Sequence, residues 1–272
     1  MSDCACCGSD TSLVTGVLSP VDYQAFAQRY GERMFGSNFA LTTFPCDQSS
    51  SDGLLGYTAE LNAALAFSAY VQGVFPWYNE ARGEPVLWWS MDPRFVISRE
   101  SFHVPKRIER LLKKAPFTYT MDTDFDAVVA HCACMNRAGQ DGTWLGPALQ
   151  EVYHTFHARG IAHSVEVWQN GTLVGGLFGE LLGHIFCGES MFTLLPNSSK
   201  TAFVIFARAF FACGGELIDA QIYTDNIARY GAFSMQRDEF LAHERAGIPR
   251  PLGADLRQAF TEVAQSYGKT CV

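Results

Sequence analysis

The chain has 272 residues, 48% of them hydrophobic and 18% charged, which is enough for one large domain or two modest ones and is globular rather than disordered. A formal net charge of −8 excludes a protein coated in basic surface, while leaving room for a local basic patch. Its 9 cysteines lack regular spacing and fit reduced thiols better than a disulfide framework.

The opening "MSDCACCGSD" has no basic start followed by an apolar run, so no secretory signal is read there. The apolar stretch "TAFVIFARAFFAC" contains Arg208 and is too short to span a bilayer, and a soluble cytoplasmic protein is expected. Cys4, Cys6 and Cys7 could hint at a metal site. No second Cys/His cluster lies nearby, and tetrahedral zinc needs four ligands or three plus water, so no metal is expected. Residues 1–55 show little periodicity and read as an N-terminal extension of unknown role, closing on the connector "CDQSSSDGLLG". The spacing in "YTAELNAALAFSAYVQG" predicts a short helix stopped by Gly73. "VFPWYNEARGEPVLWWSMDPRFVI" then reads as short strands and turns of a small α+β unit.

In "HVPKRIERLLKKAP" a helix would carry Lys106, Arg107, Arg110, Lys113 and Lys114 on one face and Ile108, Leu111, Leu112 and Ala115 on the other. Five of the chain's 20 lysines and arginines thus fall on a single stripe, either a solvated helix surface or a phosphate-binding face. Downstream, "HSVEVW", Asn170-Gly171 and "TLVGGLFG" predict a hairpin with a type I′ turn, and "HIFCGESMF" is the next strand. "NSSKTAFVIFARAFFACGG" follows as a helix with Asn197 or Ser198 as N-cap, "ELIDAQIY" as a strand, and "TDNIARYGAF" as a further helix or turn. The class is α+β. Residues 56–117 are expected to form a small N-terminal domain with the basic helix, and residues 118–272 a domain with a mainly antiparallel sheet, whose order of meander, helix, strand and helix resembles the second half of the N-acetyltransferase-like fold.

Two polar features interrupt these apolar strands. Glu189 sits in "CGESM", where an unpaired carboxylate would be costly to desolvate. Asp219 and Gln221 in "LIDAQ" are two apart, so on a strand they share a face and Asp219 could orient the Gln221 amide. A structural hydrogen-bond pair, or a Glu189 that caps a helix or meets Lys200, is the plainer alternative. There is no HExxH, no second C-x-x-C to pair with Cys4–Cys7, no G-x-S-x-G elbow or Walker loop, and no acyl-CoA pyrophosphate loop.

"GVFPWY", "PVLWWSMDPR", "GTW", "AHSVEVW", "LVGGLFG", "FCGESMF", "SSKTA" and "LIDAQ", in that order between Tyr57 and Leu241, resemble the leucyl/phenylalanyl-tRNA–protein transferase family. The resemblance implies transfer of Leu or Phe from aminoacyl-tRNA to the N-terminal amine of an acceptor protein, usually one beginning with Arg or Lys, marking it for degradation. It implies no cofactor and no membrane partner. It further implies a donor side-chain pocket of Leu177, Phe186, Met191, Phe206, Phe210 and Ile218. Trp77 and Trp144 would hold the terminal adenosine, and Lys106, Arg110, Lys113 and Lys114 the acceptor stem. Asp219 would orient Gln221, Gln221 would contact the reacting amine or carbonyl, and Glu189 would bind an amine.

After "LIDAQ" this chain reads "IYTDNIARYGA" where the family commonly has His-x-x-Ser-Leu-Gly-Ala. An inward-pointing Arg229 would repel a basic acceptor. A related transferase with altered donor or acceptor, such as a small peptide, and a non-catalytic tRNA-binding protein remain open at this point. A monomer is expected.

Overall fold

The computed structural model describes residues 18–135 and 143–267, so the "CACC" stretch lies outside the described residues. Helix α1 (Pro20–Phe35) begins at Ser19, whose hydroxyl oxygen accepts from Asp22 N, with Pro20 in the first turn. It lies within the segment read from sequence as a featureless extension. Tyr23 anchors it, the phenol donating to Val71 O at 2.7 Å. Strand β1 (Leu54–Thr58), helix α2 (Ala63–Tyr70), strand β2 (Phe75–Pro76) and strand β3 (Val86–Trp89) follow, the strands forming an antiparallel sheet in the order β1-β3-β2. The Asn62 side chain caps α2 by accepting from Leu65 N, and Gly73, at φ +71°, turns the chain away after it.

Next come strand β4 (Arg94–Ser98), helix α3 (Lys106–Lys113), strand β5 (Thr118–Met121), helix α4 (Phe125–Cys134) and helix α5 (Pro147–Ala158). The meander is β6 (Ala162–Gln169), β7 (Thr172–Leu182) and β8 (Ile185–Thr193). Asn170 and Gly171, at φ +53° and +77°, make the left-handed turn that joins β6 to β7. Helix α6 (Ser198–Ala212) leads into β9 (Leu217–Asp219), α7 (Asp225–Ala228), β10 (Phe233–Met235), α8 (Arg237–Gly247) and α9 (Leu256–Gln265). Asn197 precedes α6 in a left-handed conformation and makes no side-chain cap hydrogen bond.

The larger sheet has the order β10-β4-β9-β8-β7-β6-β5 and is antiparallel except for the β8–β9 pair. That pair is parallel because α6 carries the chain back across the sheet. On one face, α6 is packed against Leu177, Phe186 and Ile218 of the sheet, with Ile108 and Leu112 of α3 and Phe260 of α9 in the same core. The other face holds Phe178, Leu182 and Phe192 against α4, α5 and α2, which contribute Phe125, Tyr153, Phe156 and Phe67. Residues 94–117, expected within the smaller N-terminal unit, belong physically with the larger sheet. β4 lies between β10 and β9, and the apolar face of α3 is buried on the α6 side.

Candidate active site

Two departures from regular sheet geometry create the site. β9 pairs with β8 only from Ile185↔Leu217 to Cys187↔Asp219, whereas β8 continues to Thr193, so the two strands part and leave a gap. Opposite that gap, the β7–β8 register passes from Phe178↔Ser190 to Gly179↔Gly188, which leaves Glu189 as the extra residue of a β-bulge. A bulge re-aims the side chain it carries, which frees Glu189 from the alternation of the strand. Gly179 permits it, since a Cβ there would collide with Cys187 O across the strand pair.

A cavity of about 310 Å³ occupies the gap. Leu177, Phe186, Met191 and Ile218 line it, and Phe203, Ile222 and Ile227 extend its apolar wall. Phe206 and Phe210 do not line it. They are buried one layer behind, Phe206 against Phe186 at a ring separation of 4.2 Å and Phe210 stacked on Phe206 at 6.0 Å. Their i, i+4 spacing placed both on the correct helix face, but Phe186 fills the intervening space. Trp77 and Trp144 both reach the cavity, from the segment after β2 and from the loop before α5.

The polar rim is one connected network. Gln221 Nε2 donates to Glu189 Oε1 at 2.6 Å, and the Tyr153 hydroxyl donates to Glu189 Oε2 at 2.8 Å. Tyr70 and Tyr153 share a hydrogen bond of 3.0 Å behind it. Burial pushes the Glu189 carboxyl above its ordinary value, with the Tyr153 hydrogen bond offsetting part of that. Both phenols are themselves pushed well up, by burial first and by Glu189 second, so they stay neutral donors.

Asp219 acts differently from the reading based on strand alternation. β9 ends at Asp219, and Gln221 lies beyond it at φ +62°, a left-handed conformation. Asp219 therefore orients Gln221 through the backbone: Oδ1 accepts from Gln221 N at 2.8 Å. The same carboxylate takes a bidentate grip from Arg94, Nε to Oδ1 at 2.8 Å and Nη2 to Oδ2 at 2.6 Å. Arg94 Nη1 donates to Gly73 O, and its guanidinium lies over the rings of Phe75 and Phe240 at 4.8 and 4.6 Å. Arg94 was missed in sequence, although a charge inside the apolar strand "RFVIS" is the same kind of signal that singled out Glu189.

The apolar face of α3 is buried through Ile108 and Leu112, while Lys106, Arg107, Arg110, Lys113 and Lys114 are exposed. Glu109, at the edge of the stripe, pairs with Arg208 of α6 at 2.8 Å and ties the basic helix to the domain that holds the cavity. Arg229 is exposed, its Nε donating to Asp225 O, and it does not line the cavity. Tyr230 is buried against Phe203 at 4.8 Å.

Residues 96–245 match the family described as leucyl/phenylalanyl-tRNA protein transferase, and residues 59–92 match the N-terminal domain of the same family. A relative named leucyl/phenylalanyl-tRNA–protein transferase in Chromohalobacter salexigens is 44% identical over 205 residues, covering 75% of this chain and 79% of the relative.

The chain belongs to the leucyl/phenylalanyl-tRNA–protein transferase family.

Relatives of the same name in Lawsonia intracellularis and Shewanella pealeana are 43% and 42% identical, covering 72% and 77% of this chain and 86% and 90% of their own length. The boundary between the two family matches falls at the start of β4, where the chain enters the larger sheet. No helix among the described residues of this transferase-family member is long and apolar enough to cross a membrane.

Proposed function

We propose that the protein transfers Leu or Phe from aminoacyl-tRNA to the N-terminal α-amine of an acceptor protein, marking that acceptor for degradation. The observation that carries this reading is a cavity whose apolar wall (Leu177, Phe186, Met191, Ile218) meets the Glu189–Gln221 pair at its rim. The volume is at the small end of ligand pockets, roughly 300–1,000 Å³, which suits one amino-acid side chain and part of a nucleoside. Trp77 and Trp144 then sandwich or flank the terminal adenosine, each base–ring contact being worth about 1–3 kcal/mol. Lys106, Arg110, Lys113 and Lys114 contact acceptor-stem phosphates, contacts that carry little sequence information.

The reaction is aminolysis of an ester that is already activated, so no ATP is needed. The acceptor amine attacks the aminoacyl carbonyl carbon, the C–N bond forms, the bond to the ribose oxygen breaks, and the amine proton passes to that oxygen. Such a step needs a neutral amine, positioning, and donors for the developing oxyanion. Glu189 holds the amine. Gln221, its Nε2 committed to Glu189, presents Oε1 as an acceptor for an amine N–H, and Asp219 with Arg94 fixes the backbone from which it reaches. Arg229, being outside the cavity, leaves room for an acceptor beginning with Arg or Lys. The protein works as a monomer in the cytoplasm, where aminoacyl-tRNA is found. We place its domain boundary near residue 93.

Incubation with labelled Leu-tRNA or Phe-tRNA and peptides of varied N-terminus tests this. Label transfer to peptides with basic N-termini is expected. Tight tRNA binding with no transfer to any peptide would refute it and leave a tRNA-binding protein.

A further inference from the structure

Glu180 of β7 is fully buried, and among the described residues neither of its carboxyl oxygens meets a hydrogen-bond donor. Leaving an ionised carboxylate in that state is costly, because desolvation is compensated by nothing. The register pairs Glu180 with Cys187, two residues before the bulged Glu189, which brings the two carboxyl groups to the same region of the sheet. The titratable groups around it are Glu189 and Cys187 on β8, Tyr70 on α2, Tyr153 on α5 and Asp219 on β9. The Tyr153 hydroxyl is given to Glu189, and Tyr70 and Tyr153 hydrogen-bond each other. The buried guanidinium of Arg94 grips Asp219 with two nitrogens. Among the described residues no donor or cation is seen to meet Glu180, so it must supply its own proton. Burial and the neighbouring Glu189 push its carboxyl well above the usual range, in agreement with that requirement.

We propose that Glu180 is a carboxylic acid at neutral pH and donates its proton in a hydrogen bond to Glu189, holding Glu189 ionised and oriented toward the substrate amine. Glu180 is then a positioning residue that acts through Glu189. The proposal rests on the reading of Glu189 as the amine site. Without this donor, burial would favour a neutral Glu189, which attracts an ammonium or amine poorly. The proton also resolves the clash of two buried carboxylates side by side, since one of the pair stays neutral.

The test has two readouts on the full chain. The infrared difference spectrum of wild type minus Glu180→Gln at neutral pH should show a protonated-carboxyl C=O band belonging to Glu180, over the band that Glu244 contributes to both proteins. Its absence overturns the proposal, whatever the activity. In transfer kinetics, Glu180→Gln keeps an N–H donor and should stay within about threefold of wild type, whereas Glu180→Met keeps the length and burial but loses the donor. Glu180→Met should lose about tenfold in kcat/KM, with the acid limb of its pH profile moved up by about one unit and tRNA affinity unchanged, the scale of one charge-assisted hydrogen bond. Equal behaviour of the Gln and Met variants overturns the proposal. Glu189→Gln separates the two levels: if it transfers as fast as wild type, the reading of Glu189 fails, and the infrared band still decides where the proton resides.

Discussion

Gln221 occupies a backbone conformation that costs a residue with a Cβ about 1–2 kcal/mol, and it is held there by its N–H donating to Asp219 Oδ1 at 2.8 Å. That arrangement directs the amide at Glu189 instead of at Asp219, which is why a side-chain pairing of Asp219 with Gln221 is not found. Gln221→Ala should slow transfer by about 10²–10³-fold, the range for one lost transition-state contact, while tRNA affinity stays intact. Equal loss of binding and turnover would contradict the catalytic assignment. Arg94 has the opposite character, almost wholly buried and serving Asp219 alone among carboxylates in the hydrogen-bond pattern described. Arg94→Ala leaves a buried carboxylate unpaired and should cost about 3–5 kcal/mol of stability. Arg94→Lys, a single point charge, should recover only part of it. Urea denaturation measures both, and a Lys variant as stable as wild type would show that the two-pronged geometry is unimportant.

Helix α3 divides its work by face. Ile108 and Leu112 are buried, and the cations of the other face meet solvent, with Glu109 holding the helix to Arg208 of α6. Reversing two charges by Lys113→Glu with Lys114→Glu touches no packed atom, so folding should be unaffected. It should weaken tRNA binding and flatten the slope of log K against log salt by about 2, nearly one per phosphate contact removed. A slope identical to wild type would exclude these lysines from the interface. The bulge in β7–β8 is an element-scale device of a different kind. A strict period-2 reading of "HIFCGESMF" gives the strand but assigns Glu189 a face by parity, whereas the unpaired position lets it leave that parity and join Tyr153 and Gln221.

Across the whole molecule the buried carboxyl groups set opposing pH dependences. Glu244 is buried, its Oε2 meets no donor among the described residues, and burial holds its carboxyl well above the ordinary value of 4.5 in the folded state. A folded-state pKa above the unfolded one means the folded protein binds the extra proton. Its contribution to stability is complete below the unfolded value and is lost as pH rises through the folded one. At Asp122 burial is outweighed by His163, leaving the carboxyl lowered, so its contribution is present above the unfolded value and is lost as pH falls through the folded one. Glu244→Gln should therefore match wild type in mild acid and gain Tm relative to it as pH climbs from neutral into the alkaline range. Parallel Tm–pH curves for the two proteins would rule out a proton on Glu244.

The order of motifs from "GVFPWY" to "LIDAQ", the hairpin at Asn170-Gly171, helices α2, α3 and α6, and the polar residues Glu189, Asp219 and Gln221 were legible in the sequence, because each depends on neighbours along the chain. The parting of β8 from β9, the pairing of Arg94 with an aspartate 125 positions away, and the approach of Tyr153 to Glu189 were decided only by the tertiary structure. So was the position of Phe206 and Phe210 behind Phe186. Periodicity specifies which way a side chain points from its own element. What it meets there depends on where distant elements have packed, and burial then determines whether that meeting places a charge, a proton or an empty volume at the site.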